Sequence, residues 1–486
     1  MTARNVAEEH ARAHDADAAG VEARAGKPAT ARLNRRQFLA AGMAGPALLA
    51  GAGAAGSSPP PPEAGRRLLI RGGWVLTLDP ALGDFASGDV LVDGARITAV
   101  GPRVDVAADT AVIDARGMIV APGFVDTHRH LWQGQLRNVL PDGTLEEYFR
   151  RITGGLRPRY RPDDVYAGNL LSACGALNAG VTTVLDWSHV GNSPAHADAA
   201  VQALREAGLR AVYAYGSGQP GPDNAWPDDL LRLREQHFAS DDGLLTLALA
   251  AGLDPAHWAL ARRADVPVTS HVNGTGTLLG LAEQMGPDNT YIHCCGLTAE
   301  EWDLVADTGG GVSIAAPVEM QMGHGVPPFQ QALDRNVPLG LGNDVETSVS
   351  GEFFGQMRMA LALQRMLAHE RAKRGEPSPP RLLTAREVLA IATLGGARVN
   401  HLDDRIGSLT PGKQADLLVL DPRSIDVLPL NDPYGAIVTG MNTANVRHVL
   451  VAGRARKWDG RLVDVDLARL ERLAEASRRH LFAAGG

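Results

Sequence analysis

The chain has 486 residues and a formal net charge of −8, with 47 Lys and Arg against 55 Asp and Glu. That balance, with no basic cluster interleaved with aromatic residues, excludes a partner that is a DNA or RNA polymer. The length allows more than one domain, and the three cysteines, Cys174, Cys294 and Cys295, lack a Cys-x-x-Cys spacing and predict no structural disulfide.

Residues 1–58 differ in composition from the rest. A long polar start leads to Asn34-Arg35-Arg36-Gln37-Phe38-Leu39, then to an Ala-, Gly- and Leu-rich stretch ending near Gly56, with Ala52-Gly-Ala54-Ala55 suited to cleavage. This resembles a twin-arginine signal. It implies export of the folded protein by the twin-arginine machinery, to the periplasm or the exterior. The competing reading is a low-complexity extension that contains two arginines. Ser57-Ser-Pro-Pro-Pro-Pro62 reads as an extended linker. No later segment approaches the about 18 uninterrupted apolar residues of a membrane helix, so no permanent span is expected.

Residues 66–119 and 405–464 read as short strands separated by turn residues. Because both flanks show this pattern and the middle does not, one β-sandwich built from both is predicted. It frames a central unit at 120–404, and a helix at 465–486 ends the chain.

The central unit opens with Ile119-Val-Ala-Pro-Gly-Phe-Val-Asp126-Thr-His128-Arg-His130. Alternate strand residues share a face, so Asp126, His128 and His130 are expected to point one way, as half of a metal site. Further apolar runs end in His271, His293 and Asp344, and the others lie at 181–186, 209–215, 244–250 and 311–316. Most are separated by helix-like stretches such as 195–208 and 298–308. Eight alternations over about 250 residues predict an α/β fold, a (β/α)8 TIM-type barrel, whose active site lies at the carboxyl ends of its strands. His128 and His130, His271, His293 and Asp344 then belong to strands one, five, six and eight.

From about Leu68 to Val463 the chain resembles the amidohydrolase superfamily, in particular its cytosine deaminase and chlorohydrolase-like branch. The resemblance rests on Pro122-Gly-Phe-Val-Asp-Thr-His128-Arg-His130, Ser270-His271, Ile292-His293-Cys294, Gly342-Asn-Asp344 and the segment from Ile406 to Asp421. It implies one divalent ion, zinc first and iron second, held by His128, His130, His271 and Asp344, with an open position for water. It also implies that Asp344 acts as general base and that His293 hydrogen-bonds the water or the developing negative charge. Two-metal relatives use a carboxylated lysine on the fourth strand. The only lysines here are Lys27, Lys373, Lys413 and Lys457, so a single metal is expected.

One departure stands out. Deaminases of this branch place a glutamate three residues after the fifth-strand histidine, and this chain has Gly274 there. Glu319, after the seventh strand, is the first candidate for the missing proton carrier and Glu346 the second; for each the competing reading is a solvated loop carboxylate. Trp132, Gln133, His189 and His324 are the expected substrate contacts, although core packing is an equal alternative for Trp132.

The expected activity is hydrolysis of a C–N bond, by deamination or amide hydrolysis, on a small cyclic, heterocyclic substrate of little charge. The alternatives are hydrolysis of another bond such as carbon–halogen, non-hydrolytic metal chemistry, or an inactive barrel that serves as a binding protein. A homo-oligomer is left open.

Overall fold

The computed structural model describes residues 60–63 and 65–483. The export-signal reading at 1–58 lies outside the described residues. Five strands precede the barrel: β1 (Leu68–Val75), β2 (Phe85–Asp93), β3 (Arg96–Gly101), β4 (Ala111–Asp114) and β5 (Ile119–Pro122). The barrel strands are β6 (Phe124–Arg129), β7 (Val181–Gly191), β8 (Arg210–Ser217), β9 (Leu245–Ala250), β10 (Val268–Asn273), β11 (Asn289–Cys295), β12 (Gly311–Ile314) and β13 (Leu339–Leu341). Four more follow: β14 (Leu417–Leu420), β15 (Val446–Val451), β16 (Arg454–Trp458) and β17 (Arg461–Leu462).

Strands β6 to β13 close into an eight-stranded parallel barrel, sealed where Leu341 of β13 pairs with Asp126 of β6. Every residue of β6, β7, β11 and β12 is buried, which is why these runs read as continuously apolar rather than alternating. Val125, Leu185, Val212, Ala248 and Ile292, one from each of five barrel strands, pack with Leu402 and Ile406 into a core of their own. Trp187 belongs to that core and also lines the cavity above it.

The apolar run that begins at Ile119 serves two sheets. Its first half, β5, pairs antiparallel with β14, and its second half, β6, enters the barrel. Gly123 makes the transition possible, because a Cβ there would lie 2.1 Å from Thr182 Oγ1. Both flanks join through the β5–β14 pairing, and the nine flanking strands form one hydrogen-bonded sheet in the order β17-β16-β15-β14-β5-β1-β2-β3, with β4 beside β1. This sheet has its own apolar core, including Leu68, Ile70, Val90, Leu417 and Leu450. Arg210 of β8 ties the barrel to it: the buried guanidinium donates to both oxygens of Asp416, at 2.8 and 3.1 Å, a bidentate pairing.

The chain ends on the helix Leu467–Phe482, capped by the Asp466 carboxylate and seated by buried Leu470 and Leu481. Among the described residues no helix is long and apolar enough to cross a membrane.

Candidate active site

Strand-end geometry brings the five predicted residues to one point. His128 and His130 come from the end of β6, His271 from β10, His293 from β11, and Asp344 from just after β13. His128 Nε2 and His130 Nε2 each lie 3.2 Å from Asp344 Oδ1. His271 Nε2 lies 3.2 Å from His128 Nε2. His293 Nε2 stands farther off, 3.8 Å from the second oxygen, Oδ2.

Backbone strain marks this convergence. His293 and Cys294 both have positive φ, 71° and 56°, and the β10–β11 register slips beside them, between Val272 and Asn273. A bulge of that kind re-aims a side chain at the end of a strand. Asp344, with φ 63°, is clipped to the first strand by two backbone bonds. Its N–H donates to the His128 carbonyl at 2.8 Å, and its carbonyl accepts from the His130 N–H at 3.0 Å.

The donor set fits a divalent ion. Four ligands at the about 2.0–2.1 Å of a zinc–nitrogen or zinc–oxygen bond, in a tetrahedron, lie about 3.3 Å from one another, and the three distances between ligand atoms above are all 3.2 Å. The His271 and His128 Nε2 atoms, 3.2 Å apart, stand at the spacing of two ligands on one ion. Burial also holds the His128 ring neutral, its pKa lowered to about 3, and pushes His271 well below its ordinary value. Neutral rings are the form that ligates. His130 Nδ1 lies 2.7 Å from the Trp187 carbonyl, which assigns the proton to Nδ1 and leaves the Nε2 lone pair facing the cluster. Burial pushes the Asp344 carboxyl up, but the His128 and His130 rings outweigh it and keep the group ionised. No lysine occurs on β9, the fourth barrel strand, in keeping with one metal.

The cluster floors a cavity of about 370 Å³. His189 and His324 line it, as do His130, His271, His293 and Asp344. Trp132 and Gln133 do not, contrary to expectation. The chain turns tightly after His130, so the Trp132 indole packs in the core against the rings of Tyr160 and His189. Gln133 is fully buried and reaches the cavity only through Tyr148, to whose hydroxyl oxygen its Nε2 donates at 2.6 Å.

Neither glutamate stands at the cavity surface. Glu319 lies on the short helix Ala316–Met322, buried behind His293, with Oε1 3.1 Å from His293 Nδ1 and 2.8 Å from the Ala315 N–H that it accepts. It orients His293 and does not face the substrate. Glu346 is not a solvated loop carboxylate. It is buried and ion-paired to Arg129 and Arg137, with Ser172 donating to it as well. Asp126 also departs from the expected shared face, its carboxylate accepting from Arg129 Nε at 2.8 Å and from the Asn343 N–H at 3.0 Å.

Gly274 has φ 93° and donates its N–H to the Cys295 carbonyl. A side chain would have room there, since a Cβ meets only Thr277 at 3.9 Å, but that backbone conformation disfavours anything but glycine. Among the described residues, Asp344 is therefore the only carboxylate that lines the cavity. The sequence reading missed Tyr148, Arg157 and Asn273, which line it too.

With the geometry in place, three similarities carry weight. The 5-methylthioadenosine/S-adenosylhomocysteine deaminase of Symbiobacterium thermophilum is 30% identical over 80% of this chain and 93% of that protein. The 5'-deoxyadenosine deaminase of Methanosarcina mazei is 26% identical over 86% of this chain and 98% of that protein. The crystal structure of an atrazine chlorohydrolase from Arthrobacter aurescens TC1, complexed with zinc, matches with a TM-score of 0.74 at 25% identity, covering 85% of this chain and 100% of that one. The model of the amidohydrolase family matches residues 119–456, so the chain belongs to the amidohydrolase family and is a metal-dependent hydrolase of carbon–nitrogen bonds.

Proposed function

We propose that the enzyme releases ammonia from a small aminated nitrogen heterocycle. The observation that carries this reading is the placement of Asp344, whose Oδ1 joins the imidazole cluster while Oδ2 faces His293. His128, His130, His271 and Asp344 would hold a divalent ion, which would acidify a bound water toward a pKa of about 7. Asp344 accepts the proton of that water as the new C–O bond forms. His293, its Nδ1 fixed by Glu319, presents Nε2 to the negative charge that develops. Tyr148 keeps its proton, because burial raises its pKa, and its oxygen already accepts from Gln133. Its O–H lies 3.4 Å from His189 Nε2, a long contact that it can exchange for a ring nitrogen of the substrate. As the C–N bond breaks, Asp344 passes its proton to the departing amine, so that one water is consumed for each ammonia released. The cavity sits at the small end of the about 300–1,000 Å³ typical of ligand sites, in keeping with a compact ring.

The absence of a glutamate at Gly274 supports one competing reading, displacement of chloride from a chlorinated ring, because a departing halide needs no proton. A panel of aminated and chlorinated heterocycles tests both on zinc-loaded protein. Ammonia from the aminated rings is the expected result. Chloride release with no ammonia overturns the deaminase reading.

We also propose that residues 1–58 direct export. The Arg35-Arg36 pair immediately before an apolar stretch supports this. Replacing both arginines by lysine should trap folded protein in the cytoplasm, and unchanged secretion of that variant overturns it.

A further inference from the structure

One guanidinium in the cavity wall has no counter-charge among the described residues. Arg157 lines the cavity with Tyr148 and His189. Its Nη1 donates to the His189 carbonyl at 3.3 Å, whereas Nε is buried with no hydrogen-bond partner. The titratable groups that act on it are the Tyr148 phenol and the His189 ring, which burial keeps neutral. Asp344, the cavity's sole carboxylate among the described residues, is committed to His128 and His130. A buried donor left unmade is costly, and more so when it is charged. Arg157 lines the cavity with no ion-pair partner among the described residues, so its guanidinium can take an anionic group that arrives with the ligand.

We infer that Arg157 is the receptor for a carboxylate on the substrate, which makes the preferred substrate an aminated heterocycle that carries a ring carboxylate. This rests on the deaminase reading of the same site. The distances set where that carboxylate sits. The His189 ring centroid is 4.3 Å from that of the ligand His130, and the His189 carbonyl meets Arg157. His189 thus links the metal cluster to the guanidinium, which places the carboxylate on the Tyr148–His189 side of the cavity. A carboxylate suits the site better than a phosphate. Among the described residues no lysine and no second arginine line the cavity, whereas a phosphate monoester brings about −1.5 to −2 charges. Arg157 can meet a planar carboxylate with two parallel N–H donors.

The test compares aminopyrimidine carboxylic acids with their carboxamides on zinc-loaded enzyme, reading ammonia release. A hydrogen bond to a charged group contributes about 1.5–3 kcal/mol, so kcat/KM should favour the acid by about 10- to 100-fold, mainly through KM. Arg157→Gln should collapse that acid-to-amide ratio toward one, and Arg157→Lys should restore part of it. Equal rates for acid and amide in the wild-type enzyme overturn the Arg157 assignment and leave deamination standing. Calorimetry with a pyrimidine carboxylate that bears no amine separates the two claims. Arg157-dependent binding of that acid, with no ammonia from any substrate, supports the carboxylate site and removes the deaminase reading.

Discussion

Glu319 and His293 form a buried pair, with Oε1 3.1 Å from Nδ1, and neither side chain has more than 2% of its surface exposed. Burial pushes the Glu319 carboxyl up and would push the His293 ring down, yet the pairing with Glu319 and the nearby Asp344 leaves the ring above its ordinary value. The pair fixes which nitrogen of His293 faces the reaction.

That relationship predicts the outcome of Glu319→Gln. The glutamine amide can donate where the carboxylate could only accept, so the His293 tautomer is no longer dictated. Loss of a partner of this kind lowers activity by about 10- to 100-fold. The loss should fall on kcat with KM little changed, because Glu319 lies behind His293 and meets no substrate. Steady-state kinetics decide it. A raised KM with normal kcat would place Glu319 in substrate binding instead.

The metal cluster yields the second prediction. Purified protein should carry close to one zinc per chain, and a chelator that removes it should abolish turnover. Asp344→Asn keeps nearly the same shape but takes away the base, so turnover should fall by at least about 100-fold with the fold intact by circular dichroism. Elemental analysis without stoichiometric metal, or an Asp344→Asn variant within a small factor of wild type, contradicts this assignment.

How much of this was legible in the sequence follows from where each residue sits. His128, His130, His271, His293 and Asp344 could be read because a barrel delivers the end of every strand to one face, so the end of an apolar run is itself a position in space. Trp132 and Gln133 follow His130 directly, but a tight turn carries them into the core, and sequence adjacency holds no information about that direction. Glu319 was found but misplaced, because a short helix after β12 sets it behind His293 and not over the cavity. Arg157 and Tyr148 reach the cavity from the segment after β6, where nothing in the local pattern distinguishes them from surface residues. Their place is set only by tertiary packing. Glu346 looked like an exposed loop carboxylate because its partners Arg129 and Ser172 are distant in the chain.

Glu346 supplies the third prediction. Arg129, with no solvent exposure, donates to Asp126 at 2.8 Å, to Glu346 at 2.9 Å and to the Gly351 carbonyl at 3.0 Å. Burial pushes the Glu346 carboxyl up, but Arg137 and Arg129 outweigh it and hold it below the ordinary value. Glu346→Gln leaves a buried guanidinium short of counter-charge, and breaking one side of a buried pair costs about 3–5 kcal/mol. Chemical denaturation should show that loss. Because the Asp126–Arg129–Glu346 chain braces the strand ends that carry His128 and Asp344, metal affinity should weaken as well. A variant as stable as wild type would show that the pair is dispensable.

The last prediction concerns acid stability, away from the metal. His448 on β15 is buried, its ring centroid 4.2 Å from that of Trp458, and its Nδ1 accepts the Asp459 N–H at 3.3 Å. That acceptor role requires the neutral ring, and burial lowers the pKa to about 4 from an ordinary 6.5. Folded His448 takes up its proton only near pH 4, whereas the unfolded chain does so from about 6.5 downward. Between those values the unfolded state holds more protons, so stability falls as the pH falls. At about pH 4.5 the accumulated loss from this one residue is about 2–3 kcal/mol. His448→Gln keeps an acceptor for the Asp459 N–H and removes the titration. Denaturation midpoints measured at about pH 7 and about pH 4.5 should therefore lie closer together in the variant than in wild type, and an unchanged gap would assign the acid sensitivity to other buried groups.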